Sequence, residues 1–123
     1  MKFIINRETL LTPLQQIVGV IEKRQTMPIL ANVLMVVEEG FLTLTGTDLE
    51  IQIIAKVSVT ESLPGSITIP ARKLLDLCRL LPNESSIQLE QKSEKVTLIA
   101  NRSKFSLSCL PAENYPKFSE LEM

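Results

Sequence analysis

Pro70-Ala-Arg-Lys-Leu-Leu-Asp-Leu-Cys-Arg-Leu-Leu-Pro82 is bounded by a proline at each end and divided in character between them. At helical spacing Ala71, Leu74, Leu75, Cys78 and Leu81 fall on one apolar stripe, with Leu77 at its margin. Arg72 and Arg79 lie two turns apart and stack on the opposite face, with Asp76 between them. A helix of this kind packs onto one surface and offers cations to another. Leu80 fits neither face.

Outward from this helix the chain reads as a repeat. Residues 66–69 form a short strand running straight into it. After Pro82-Asn83-Glu84 come three more strands, with Ile87 and Leu89, then Val96, Leu98 and Ala100, then Phe105, Leu107 and Cys109 facing inward. The first half has the same order. Residues 2–5 read as a strand and Asn6 as a helix cap. Leu10, Leu11, Leu14, Ile17, Val18 and Ile21 then mark an amphipathic helix, with Thr12, Gln15, Gln16 and Lys23 opposite. Because Leu10 and Leu11 already belong to the pattern, this helix is expected to begin near Arg7 and bend at Pro13. The competing start is at Thr12, with Pro13 as the first helical residue and Gln15 completing a capping box.

A loop at 23–28 leads to three strands. Residues 31–37 are almost continuously apolar, Glu38-Glu39-Gly40 turns, 41–45 alternates, and Gly46-Thr47-Asp48 turns again. Ile51, Ile53, Ala55, Val57 and Val59 then give the cleanest alternation in the sequence, expected to bury one face. Ser62-Leu63-Pro64-Gly65 breaks the pattern, and residues 112–123 read as an unanchored connector. Strand, helix and three strands, twice over, predict an α+β domain with a pseudo-two-fold repeat, its two helices packed on antiparallel sheets.

Composition narrows the function. A chain of 123 residues with 45% hydrophobic and 22% charged residues has the make-up of one globular domain. No apolar run is long enough to span a membrane, and the N-terminal apolar stretch is too short for a signal peptide, so a cytoplasmic protein is expected. Cys78 and Cys109 both fall at inward positions and read as small core residues of a reducing compartment. There is no histidine, which removes Ser-His and Cys-His nucleophile pairs and the commonest metal ligand. Four scattered glycines make no phosphate-cradling loop, and no cofactor or metal is expected. The net charge is −1, yet Arg72, Lys73 and Arg79 set one helical segment positive and Arg7, Lys23 and Arg24 the other, on an otherwise acidic body. Taken alone, such arginines are ordinary solvated side chains, with Asp76 as a weak helical partner. Their equivalent places in the two halves raise the prospect of one shared basic surface.

Four stretches resemble a known family: Arg24-Gln-Thr-Met-Pro-Ile-Leu-Ala-Asn32, Leu44-Thr-Gly-Thr-Asp-Leu-Glu50, Ile69 through Pro82, and Arg102-Ser-Lys-Phe-Ser-Leu107. They are similar, in order and spacing, to the first domain of the bacterial DNA sliding clamp, the beta subunit of DNA polymerase III. The resemblance runs from Met1 to about Phe118; Met27 stands where the family usually has leucine. It implies the DNA-clamp fold and a non-catalytic processivity role: three such domains per chain, two chains closing head to tail around duplex DNA, and helices lining the hole. Arg24 and Arg72 match family positions that contact DNA, and Lys23 and Arg79 are added by their placement. The strand at 104–110 matches the edge that pairs with the partner chain. Phe105 and Leu107 would be its apolar contacts, and Lys73, Lys95, Arg102 and Lys104 would meet acidic residues opposite.

What the resemblance implies about organisation is then specific. Residues 1–118 would be the first clamp domain and 119–123 the start of a linker to second and third domains, so these residues alone would not close a ring. Double-stranded DNA, a second clamp chain, DNA polymerase III and its clamp loader would be the partners, with no membrane. Two other classes remain open on the residues: a stand-alone interaction protein that uses its edge strand, and a small enzyme grouping Asp48, Glu50 or Glu90 in a pocket.

Overall fold

The computed structural model describes residues 1–21 and 28–116. Strand β1 (Lys2–Asn6) runs directly into helix α1 (Arg7–Ile21), and a 3-10 turn at Pro28–Ala31 leads into β2 (Asn32–Glu38), β3 (Phe41–Thr47) and β4 (Gln52–Ser58). Then come β5 (Thr60–Leu63), β6 (Gly65–Pro70), α2 (Ala71–Leu80), β7 (Ser86–Lys92), β8 (Lys95–Ala100), β9 (Ser103–Ser108) and a last 3-10 turn at Ala112–Asn114. The strands form two antiparallel sheets, ordered β5-β1-β7-β8-β9 and β4-β3-β2-β6. The expected architecture, two helices on antiparallel sheets in a repeated order, is what the chain adopts.

The sheets reveal how the halves are joined. Each half gives its first strand to the other: β1 pairs with β7, and β6 pairs with β2. Neither half can therefore complete its sheet alone. The repeat is also longer than the spacing of residues predicts. After β4 the chain crosses at Val59 and returns along β1 as β5; after β9 it returns along β6, where Leu110 and Thr68 exchange backbone hydrogen bonds of 3.0 and 2.9 Å. The outer edges of β1 and β6 are thus both covered, and among the described residues β4, β9 and the short β5 are left as outer strands.

Both helices bury their apolar stripes in one core. Leu10, Leu14 and Ile17 of α1 and Ala71, Leu74 and Cys78 of α2 are wholly buried, each large aliphatic side chain contributing about 1.5–3 kcal/mol of burial free energy. The helix starts at Arg7, as expected, with Pro13 inside it and the Asn6 side-chain oxygen accepting the Glu8 N–H at 2.9 Å. α2 starts behind Pro70 with no side-chain cap and stops at Leu81, whose N–H bonds the Cys78 carbonyl.

Four expectations are corrected. Gly46 lies within β3 rather than in a turn, and a Cβ there would overlap the Ile17 Cγ2 above it, so its bare backbone lets α1 settle on the sheet. The turn follows at 48–51, where Asp48 Oδ1 accepts the N–H groups of Glu50 and Ile51. The cleanly alternating β4 is an edge strand: Ile53, Ala55 and Val57 are only half-buried, and Ile51 and Ile54 are exposed. Alternation shows that two faces differ, not how well one is covered. The third correction is β5, and the fourth the tail, whose residues 110–115 are fastened to the four-stranded sheet through the Leu110 bridge and a buried Tyr115.

Candidate nucleic-acid interface and open strand edge

The start of α1 meets the end of α2. Arg7 Nε donates to the Cys78 carbonyl at 2.7 Å, its guanidinium pairs with Glu8 at 2.6 Å and reaches Asn83 Oδ1 at 3.2 Å, and the Arg7 N–H donates to the Ser85 carbonyl. Glu8 in turn accepts the Glu84 N–H at 2.8 Å. Partial desolvation of Glu8 opposes ionisation, but these hydrogen bonds and the neighbouring Arg7 charge outweigh it and hold the carboxyl below its ordinary range. Arg7, counted among the basic residues of the first helix, is therefore a half-buried fastener on α2, where its positive charge complements carbonyls at the helix end. Sequence spacing could not find this role, because Cys78 and Asn83 are distant in the chain.

With Arg7 turned inward, the exposed face of α1 carries Thr9, Thr12, Gln15, Gln16 and Gly19. The exposed face of α2 carries Arg72, Lys73, Asp76 and Arg79. Arg72 Nε lies 3.5 Å from Asp76 Oδ1, an ion pair in which both side chains remain more than half exposed. Since both helices sink into the same core, their polar faces lie on the side away from it, a surface mostly of hydroxyls and amides with cations concentrated on α2. Lys23 and Arg24 lie outside the described residues.

The interface residues expected near β9 gather in part. Lys73, Asp76 and Leu77 of α2 face Phe105, Leu107 and neighbouring serines of β9 across a groove of about 530 Å³. Among the described residues β9 pairs only with β8, which leaves its outer backbone edge open. Leu107 is only 8% exposed and belongs to the core, while Phe105 is half-buried and packs against it. Phe105 is thus the larger apolar surface left at this edge. Lys104 is exposed on β9, Arg102 sits in the β8–β9 turn, and Lys95 opens β8 opposite Ser108.

The carboxylates of the enzyme alternative do not gather in one place. Asp48 and Glu50 belong to the β3–β4 turn of one sheet, and Glu90 to β7 of the other. Among the described residues no three potential ligands come together to hold a metal ion. Both cysteines are buried and unpaired, and burial pushes the Cys78 thiol up to about 11, which suits a core residue rather than a nucleophile. No helix among the described residues is long and apolar enough to cross a membrane.

Comparison with known proteins agrees with this geometry. Residues 1–119 match the family described as DNA polymerase III beta subunit, N-terminal domain. The chain is 50% identical over 121 residues to the beta sliding clamp of Pseudomonas putida, covering 98% of this chain and 33% of that protein. It is 46% identical over the same length to the clamp of Escherichia coli, again 33% of that protein. A crystal structure of the Pseudomonas aeruginosa sliding clamp bound to griselimycin superimposes with a TM-score of 0.91 at 50% identity, over 95% of this chain and 32% of that one. The Caulobacter crescentus polymerase III beta structure gives 0.91 at 36% identity, over 96% and 32%. The chain thus spans about a third of the length of these relatives. On the strength of the family match, the sequence identities and the shared fold, it belongs to the DNA polymerase III beta subunit family and corresponds to that family's N-terminal domain.

Proposed function

We propose that this domain is one segment of a ring-shaped, non-catalytic clamp that encircles duplex DNA without reading its sequence and keeps a replicative polymerase on its template. The observation that carries the reading is the helix pair: α1 and α2 are fastened together, share one core, and present a face of amides, hydroxyls and a few cations. Such a face neutralises few phosphates, so its contacts are weak, salt-sensitive and indifferent to sequence. Retention then comes from closure of the ring rather than tight binding. In this reading Arg24 and Arg72 contact phosphates, with Lys23 and Arg79 beside them.

The open edges support ring assembly. β4 and β9 occupy equivalent places in the two halves, one in each sheet, so the domain can join its neighbours by different surfaces, as head-to-tail closure requires. We assign β9 and its groove to a second clamp chain, with Phe105 and Leu107 as apolar contacts and Lys73, Lys95, Arg102 and Lys104 meeting acidic residues. Residues 1–118 form the first clamp domain in this scheme and 119–123 begin a linker. The polymerase and clamp loader are partners of the whole ring in the cytoplasm.

The test uses a clamp polypeptide that carries this domain in a closed ring. Changing Arg24 and Arg72 together to alanine should shorten retention on circular DNA and lower the slope of log affinity against log salt by about 1 for each phosphate no longer neutralised. Unaltered retention with an unaltered slope sinks the assignment.

A further inference from the structure

Leu80 belongs to neither the buried nor the basic face of α2, and at 74% it is the most exposed large hydrophobic side chain among the described residues. A single exposed leucine is ordinary on a protein surface. The place of this one is not. Leu80 follows Lys73 by seven residues and Leu77 by three, so the three share one stripe of the helix, between its buried face and the face of Arg72 and Arg79. Lys73 and Leu77 on this stripe already line the groove against β9.

α2 and β9 lie side by side and run in opposite directions, because the chain ties them at both ends. At one end Thr68, just before α2, is bridged to Leu110, just after β9. At the other, Ser85 Oγ donates to the Pro82 carbonyl at 2.6 Å and accepts Asn101 Nδ2 at 3.4 Å, which holds the chain leaving α2 against the β8–β9 turn. The groove therefore runs from Pro70 and Ser108 toward the turn that carries Arg102. Leu80, the last residue of α2, stands at that end, one turn past Leu77. Apolar surface continues from Phe105 and Leu77 to Leu80, with Lys73, Arg102 and Lys104 exposed around it. Such a strip fits a partner edge that presents an apolar side chain among carboxylates. The repeated fold itself does not call for a leucine here, since α1 carries an exposed Gln16 at the equivalent position of the stripe, after Thr9 and Pro13.

We infer that Leu80 is the end contact of this groove: it is buried when the second clamp chain docks on β9, and it extends the apolar part of that interface beyond Phe105 and Leu107. The inference rests on the assignment of β9 to the second chain.

The test follows dissociation of the closed-ring polypeptide on dilution, by sedimentation. Leu80→Gln, which gives α2 the residue that α1 carries, should weaken each contact about tenfold. A head-to-tail ring of two chains makes the contact twice, so the dimer dissociation constant should rise about a hundredfold. Leu80→Met keeps the apolar volume and should stay within about threefold of wild type. In the 123-residue chain Leu80→Gln should leave the urea midpoint unchanged, because the side chain is exposed in the isolated domain. Lys104→Glu reverses an exposed charge on β9 and tests the assignment itself. Weakening by Lys104→Glu but not by Leu80→Gln overturns the Leu80 contact and leaves the β9 assignment standing. Weakening by neither removes the assignment and the inference with it. An equal loss in Leu80→Met, or a lowered midpoint in the isolated chain, also overturns it, since apolar burial at the interface is then not the cause. Unchanged association with weaker duplex binding in Leu80→Gln would place Leu80 on the DNA-facing surface instead, and counts against the inference too.

Discussion

The two halves of the domain share a backbone plan and differ in what their helices do. Phe3 and Ile5 of β1 correspond to Ile67 and Ile69 of β6, and Leu10 and Leu14 of α1 to Leu74 and Cys78 of α2, all of them buried. On the exposed side the correspondence ends. Where α2 has Arg72 and Asp76 in an open ion pair, α1 has Glu8, bonded to the partner loop, and Thr12, a solvent-facing hydroxyl. The cation of α1, Arg7, has turned inward onto α2, and its counterpart Ala71 has no side chain with which to return the contact. The repeat constrains the core, where packing must match, and leaves the surface free to divide its duties.

The largest effects should come where the halves are most alike. Leu10→Ala and Leu74→Ala each remove a fully buried leucine from the common core, and each should cost about 2–5 kcal/mol in denaturant unfolding. Because each half donates a strand to the other's sheet, both variants should unfold in a single transition. A variant in which one half melts before the other would break the comparison and show that the strand exchange does not bind them into one unit.

How much of this could be read from the chain follows from what each feature depends on. The helices declared themselves through Leu10, Leu14 and Ile17 and through Leu74, Leu75 and Cys78, because helical periodicity is local and a helix in contact with a core must show it. The repeat was legible for the same reason. The exchange of β1 and β6 was not, since pairing partners are set by tertiary packing and leave no mark on either strand. Nor was the return at Leu110: one bridged residue has no period. β5 was hidden because its run continues β4 with only Val59 between them. Tyr115 stood in a polar, proline-bearing tail with no apolar period, and an aromatic outside any periodic pattern does not distinguish a buried anchor from a solvated side chain. On the proposed surface, Arg72 was found by its helical face, whereas Arg7 was misjudged because its partners are a backbone carbonyl and a loop far along the chain. The four family-like stretches carried more about function than any periodicity did.

The next effect is smaller and belongs to one half only. Arg7→Ala withdraws a charged donor from the Cys78 carbonyl in a partly buried setting and should cost about 1.5–3 kcal/mol. Arg7→Lys keeps the charge but loses the planar fork that spans Cys78, Glu8 and Asn83, so it should recover only part of that stability. The effect should depend on pH with a fixed sign. Glu8 titrates below its unfolded value, so its contribution is present above the ordinary carboxylate range and is lost as pH falls through the lowered pKa of the folded state. The gap between wild type and Arg7→Ala should therefore narrow in acid. A gap that widens there would mean that Glu8 is not part of the fastening.

The smallest effect on stability is the most informative about the surface. Arg72 and Asp76 are both more than half exposed, so their ion pair should contribute no more than about 0.5 kcal/mol, and Asp76→Asn should leave the unfolding midpoint nearly unchanged. If α2 faces DNA, the same substitution removes a competitor for Arg72 and a repulsive charge near phosphate. Duplex binding by the closed ring should then tighten at low salt and fall off more steeply as salt is added. Thr12→Lys asks the matching question of α1, placing a cation at the position equivalent to Asp76 on that helix's uncharged outer face. A steeper salt dependence from both would show that the two helices share one lining surface. A response to Asp76→Asn alone would confine the DNA-facing role to α2 and make the neutral face of α1 a spacer, a division of labour that the pseudo-two-fold backbone does not impose and only the side chains could create.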